Sequence, residues 1–233
     1  MSGYALSITP VRPSDVPPHE TLIDLAKKLI ASTHSWKQGK TYYKNVKTSH
    51  HPATTPGGAP WHCRVSEHTK DEATFDELWD RLGKDKALNE KEFIPEIDTA
   101  TKVKEVSPES IIWTLHYVFS PPIAPRVFTV LQLTHLEDSA DGARSGMIVS
   151  IPIDLSGAGD EALAALETPG AVRGCYVSVE VLTERPDGST EWRMATSSTP
   201  GGSIPTFVVE RTMASKIAQD VPHFMTWLKE TRK

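Results

Sequence analysis

The sequence predicts an α+β fold in which a curved antiparallel sheet grips a long C-terminal helix. Three observations lead there: an amphipathic stretch near the N-terminus, a central region of short Val, Ile, Thr and aromatic runs cut by turns, and a closing apolar stripe at helical spacing. The 233 residues, 38% of them apolar, suffice for one large core. Residues 1–19 are expected to form a flexible N-terminus and residues 20–233 a single domain.

The elements follow in order. ETLIDLAKKLIAS puts Leu22, Leu25, Ala26, Leu29 and Ile30 on one face, which predicts a first helix. Two strand-like pieces, TYYKNVKT and PWHCRVSEHT, flank the turn-rich HHPATTPGGAP and complete an N-terminal unit over residues 20–68. Thr69 stands three residues before Glu72, a capping-box spacing, and Phe75, Leu78, Trp79 and Leu82 then recur at helical intervals, predicting a helix over 71–83. Residues 103–199 read as a strand meander with turns at SPES, SPPIAP, DSADGARSG and RPDGS. The closing helix is expected over 205–231, with Val209, Met213, Ile217, Val221, Phe224 and Leu228 on one stripe. Pro205 suits its first turn and Pro222 should bend it.

Composition excludes several classes. The net charge of −5 is divided unevenly, with +5 over residues 1–64 and −10 over the rest. Lys27, Lys28, Lys37 and Lys40 could meet an anionic membrane surface transiently, although basic runs are more often solvated faces. An acidic chain without a recognised binding module argues against nucleic acid. Cys63 and Cys175 each sit in an apolar stretch and read as small core residues, which makes a reducing, cytosolic setting the default. No run approaches the length of a membrane span, and a monomer is expected. His50, His51, His62 and His68 form no metal-binding pattern, GGSIP is not a nucleophile elbow, and TPGGS lacks the lysine of a phosphate loop. No metal, cofactor or catalytic residue is therefore assigned.

The order of elements, SPPIAPRVFTVLQ, and GGSIPTFVVERTMASKIAQDVPHFMTWL together resemble the steroidogenic-acute-regulatory-related lipid-transfer (START) family. The similarity covers residues 60–231 and is greatest to a START-like branch of unknown function common in fungi. Gly202 to Pro205 supplies the family's Gly-x-x-Pro lead into the last helix; Val127 departs from it, standing where many members have an aspartate. The resemblance implies the helix-grip (START/Bet v 1-like) fold with an internal hydrophobic cavity. It also implies that Arg126 holds an anionic lipid head group.

Pro121, Pro122 and Pro125 donate no ladder hydrogen bonds, so they force a rigid crossing between two strands. With Phe119 opposite Arg126, alternation places Ile111, Trp113, Leu115, Tyr117 and Phe119 on one face, beside Arg126, Phe128, Val130 and Gln132. That face is either solid core or a cavity wall. Arg126 decides against plain core only if it meets a ligand's anion; otherwise it reaches water or pairs with Glu180. A register slip of one residue would turn it outward. Glu180 and Arg193, on the arms of the RPDGS hairpin, are expected to form an exposed diagonal pair.

The expected ligand site is that face, from Trp113 to Gln132, together with Met147 and, from the last helix, Val209, Met213 and Ile217. The ligand expected there is a phospholipid, sterol or fatty acid, transferred or presented between membranes without vesicles. The alternatives are an enzyme on the same fold, of cyclase or isomerase type, betrayed by a perturbed Glu or His on the cavity face, and a lipid-regulated module.

Overall fold

A computed structural model describes residues 3–54, 58–121, 123–138, 143–202 and 206–232, without the side chains of 206–209 and 211. The described elements run α1 (His19–Ser32), β1 (Lys37–Tyr42), β2 (Val46–His51), β3 (Trp61–His68), α2 (Phe75–Leu82), α3 (Lys86–Phe93), β4 (Ile97–Ser107), β5 (Ser110–Tyr117), β6 (Arg126–Asp138), β7 (Arg144–Pro152), α4 (Glu161–Ala164), β8 (Val172–Arg173), β9 (Cys175–Glu184), β10 (Thr190–Thr199) and α5 (Thr206–Thr231). The strands form one curved sheet in the order β1-β2-β3-β10-β9-β7-β6-β5-β4, with β8 added in parallel beside β6. This is the helix-grip arrangement.

Both faces of the sheet are covered, and the pairing register sorts the side chains between them. Val149 and Ala195 lie opposite Val179, and Ala195 lies opposite Cys63. These residues form an outer core closed by Leu22, Ile23 and Ala26 of α1. The intervening positions, Ile148, Glu180, Met194 and Arg64, run side by side on the inner face. There Leu182 and Trp192 pack with Phe75 and Leu78 of α2 and with Ala218, Val221 and Phe224 of α5. The segment expected to be a flexible N-terminus is packed over its described part. Tyr4, Leu6, Ile8, Val11 and Val16 lie on the outer core, and Val11 exchanges backbone bonds with Pro152 and Asp154 at 3.0 and 2.9 Å.

Several predicted elements shift for identifiable reasons. TYYKNVKT is the corner of a hairpin rather than one strand, because Tyr43 and Lys44 take left-handed φ of 50° and 73°. The Thr69–Glu72 bond exists, at 2.9 Å from Thr69 N, but it caps a turn. The helix begins later under a second box, with Glu77 N donating to Thr74 Oγ1 at 3.3 Å and Thr74 N donating to Glu77 Oε2 at 2.9 Å. The meander opens at Ile97, six residues before its expected start. α5 continues through Pro222. The predicted first-turn Pro205 lies outside the described residues.

The β5–β6 register places Tyr117, not Phe119, opposite Arg126. A shift of two residues leaves the parity unchanged, so Trp113, Leu115 and Tyr117 still share the inner face with Phe128, Val130 and Gln132. Glu180 and Arg193, in contrast, occupy opposite faces, because Glu180 lies across from Met194. Arg193 bonds Thr33 and Glu191 instead.

α2 seats Trp79 directly over Gly146 of β7. A Cβ at Gly146 would stand 2.3 Å from Trp79 Cε3, closer than atoms pack. Gly146→Ala is predicted to destabilise the protein by about 1–3 kcal/mol through overpacking, seen as a fall of several degrees in Tm.

Candidate ligand-binding site

Where α5 and α3 do not meet the inner face, a cavity of about 440 Å³ remains. One end is aromatic and aliphatic. Tyr117 stacks on Phe119 with ring centroids 6.0 Å apart, and Phe128 meets Tyr117 edge-on at 5.2 Å. Ile123 lines that end, and Met213 and Ile217 reach the cavity from α5.

Arg126 opens β6 at this end. It is 3% exposed and lines the cavity. Its Nε donates to the Pro200 carbonyl at 3.2 Å and its Nη1 donates to the Ala124 carbonyl. No carboxylate among the described residues pairs with it, so the expected alternative of a Glu180 partner is not what the structure holds. Gly201 and Gly202 turn the chain above it with φ of 64° and 65°. A Cβ at Gly201 would meet the Arg173 carbonyl oxygen at 2.1 Å, so glycine is the residue this crossing admits.

The other end is ionic. Glu180 projects from β9 and accepts bonds from Lys86 Nζ at 2.8 Å and from Trp192 Nε1 at 2.9 Å, with Arg64 Nη2 at 3.5 Å. Lys86, the first residue of α3, also donates to Glu90 at 2.7 Å. Arg64 lies over the Trp192 ring, 4.0 Å from its centroid. Burial would raise the Glu180 carboxyl, but the Lys86 and Arg64 charges outweigh burial and hold it below the usual range. Glu90 goes the other way: burial raises it, and Lys86 offsets only part. Burial would lower Lys86, yet its two carboxylates keep it firmly charged. Asp220, on α5, lines the same cavity without an ion-pair partner among the described residues; burial pushes its carboxyl up to about 7 despite Arg64 nearby.

Residues 61–228 match the family described as "Protein of unknown function (DUF3074)". The chain belongs to that DUF3074 family. No curated protein matches its sequence. Among solved structures, the human StAR-related lipid transfer protein 5 aligns with a TM-score of 0.70 at 17% identity, covering 92% of this chain and 96% of that one. Human STARD10 aligns at 0.70 and 11% identity over 93% and 82% of the two chains. A STAR-related lipid transfer protein fragment from Xanthomonas axonopodis aligns at 0.62 and 16% identity over 83% and 98%. The DUF3074 chain therefore shares the START fold.

Of the residues expected to form the site, Tyr117, Phe119, Arg126, Phe128, Met213 and Ile217 line the cavity. Trp113 and Leu115 lie on the expected face but are covered by Ala87, because α3 packs there. Val130 and Gln132 are buried on the inner face but do not line the cavity. Met147 belongs to the outer core, being odd-numbered in a strand whose even positions face inward. The side chain of Val209 lies outside the described residues. The residues not anticipated are chiefly polar: Lys86, Glu90, Ser178, Glu180 and Asp220, with Tyr176. Asp220 carried a legible signal, since it falls inside the apolar stripe between Ile217 and Phe224.

Asp220 makes stability depend on pH. Its folded pKa of about 7 exceeds the ordinary 3.8, so the folded chain keeps a proton that the unfolded chain has released. Stability attributable to this group therefore falls as pH rises from about 4 to about 7. Asp220→Asn is predicted to raise Tm by several degrees at about pH 8 and much less at about pH 5, measured by thermal unfolding at both.

Proposed function

We propose that this protein binds a hydrophobic ligand with a polar head in the cavity beneath α5 and carries or presents it between membranes without vesicles. Arg126 carries the reading. It is a buried cation that lines a largely apolar cavity and is met by backbone carbonyls rather than by a carboxylate. Such a group is costly unless an anion joins it, and its planar fork suits a phosphate or carboxylate. The START fold, shared with structures named as lipid transfer proteins, supports the same reading.

Energetics assign the selectivity to the head group. Each methylene buried in the cavity contributes about 0.8 kcal/mol, but the same methylene is equally apolar in a bilayer. The chain's contribution nearly cancels between the two, leaving Arg126 and the ionic end to choose the ligand. Exposed Lys28, Lys37 and Lys40, with Lys27 paired to Glu137 at 2.8 Å, would supply a transient contact with an anionic surface.

A second reading rests on Asp220. A cavity-facing carboxyl with a pKa of about 7 is suited to acid–base work, so an isomerase or cyclase acting on a hydrophobic metabolite is the enzymatic alternative. Under it, Asp220→Asn abolishes turnover of the bound molecule while the molecule still binds.

Displacement of a fluorescent fatty acid tests the principal reading. Arg126→Ala is expected to weaken binding of anionic amphiphiles at least about tenfold while lowering Tm only slightly. Equal loss of affinity and of stability would make Arg126 a structural residue.

A further inference from the structure

The two ends of the cavity are polar in different ways, and the strand distance from the Arg126 end to Glu180 can be read along β10. Pro200, which accepts the Arg126 bond, stands just beyond that strand, whereas Met194, six residues earlier, lies opposite Glu180. Six residues of strand span about 20 Å. The slot between is lined mainly by Tyr117, Phe128, Tyr176, Met213 and Ile217, with Ser178, Thr196 and Ser198 adding hydroxyls on the strand side. An occupant that fills the cavity from end to end is long, mostly apolar along its length and polar at both ends.

The volume matches one chain. A cavity of 150 Å³ holds benzene, so about 440 Å³ corresponds to about 18 heavy atoms. That is one medium-length acyl chain with its head group, and a two-chain phospholipid exceeds it by more than twofold.

Charge at the far end selects the second polar group. Lys86 is already matched by Glu180 and Glu90 at 2.8 and 2.7 Å, and Arg64 pairs with Glu180 at 3.5 Å while its buried Nε and Nη1 have no hydrogen-bond partner among the described residues. Asp220 is the odd acid there, facing the cavity without a cationic partner among the described residues. A ligand ammonium would have Lys86 as a neighbour of like charge. A hydroxyl carries no such penalty: it donates to Asp220 when the carboxyl is ionised and accepts from it when protonated.

Resting on the container reading above, we propose that the ligand is a slender two-headed amphiphile, an acid of about 18 heavy atoms whose anion sits at Arg126 and whose distal hydroxyl bonds Asp220, the chemistry of an ω-hydroxy fatty acid. A hydrogen bond to a charged group in a dry site corresponds to about tenfold or more in affinity.

Isothermal titration of the delipidated full chain with ω-hydroxyhexadecanoic acid, hexadecanoic acid, cholesterol and phosphatidylcholine vesicles tests this. The hydroxy acid is expected to bind about tenfold tighter than the plain acid, and Asp220→Leu is expected to bring that ratio to about one. Asp220→Ala, which is smaller, guards against a packing artefact and is expected to give the same ratio. Equal affinities for the two acids in the wild type, or an unchanged ratio in both variants, overturns the proposal while leaving the container intact. Preference for cholesterol or phosphatidylcholine over both acids likewise overturns it and keeps the container. Binding of none of the four overturns both.

Discussion

Glu180 is the group around which the inner half of the molecule is organised. A carboxylate at 3% exposure in the middle of a strand is tolerable only when its charge is matched, and here Lys86, Arg64 and the Trp192 indole converge on it. Each of those partners comes from a different element: α3, β3 and β10. The cluster therefore ties α3 to the sheet at a fixed height. The cavity lies beside this cluster, with Glu180, Lys86 and Asp220 in its lining.

The slot carries a visible cost. A compact core of this size would place Leu or Val where Asp220 and Arg126 stand, and each of these polar groups opposes folding in its own way. Asp220 keeps up to about pH 7 a proton that its unfolded counterpart has released by about pH 4, and Arg126 is buried with carbonyl acceptors but no carboxylate to balance its charge. Groups that weaken the folded state and face a cavity are where recognition or chemistry concentrates. The outer face offers the contrast. Val149, Val179 and Ala195 pack against Leu22 and Ala26 in a core of ordinary kind.

The sequence made much of this fold legible, because periodicity reports on faces. The alternation through Tyr117, Arg126 and Phe128 identified the inner face even with the register misjudged by two residues, since only an odd slip exchanges faces. The apolar stripe of α5 gave Met213 and Ile217 in the same way. What escaped was α3. KALNEKEF has almost no amphipathic pattern, and it is held by one buried ion cluster and by Ala87 and Phe93, contacts that exist only after the sheet forms. Missing α3 meant assigning Trp113 and Leu115 to the cavity, since the residue that covers them was absent from the picture. Met147 was misplaced because an adaptable side chain says nothing about which face it occupies. Glu180 was read as a surface residue because a charged position in a hairpin arm usually is one; the cations that permit its burial lie 94 and 116 residues away in the chain.

The central claim, that the space beneath α5 exists to hold a hydrophobic guest, is tested most directly by native mass spectrometry of the purified chain followed by extraction of what it carries. The account predicts a bound amphiphile at near-stoichiometric amount, released on unfolding. A chain that arrives empty and takes up no member of a panel of fatty acids, sterols and phospholipids contradicts it.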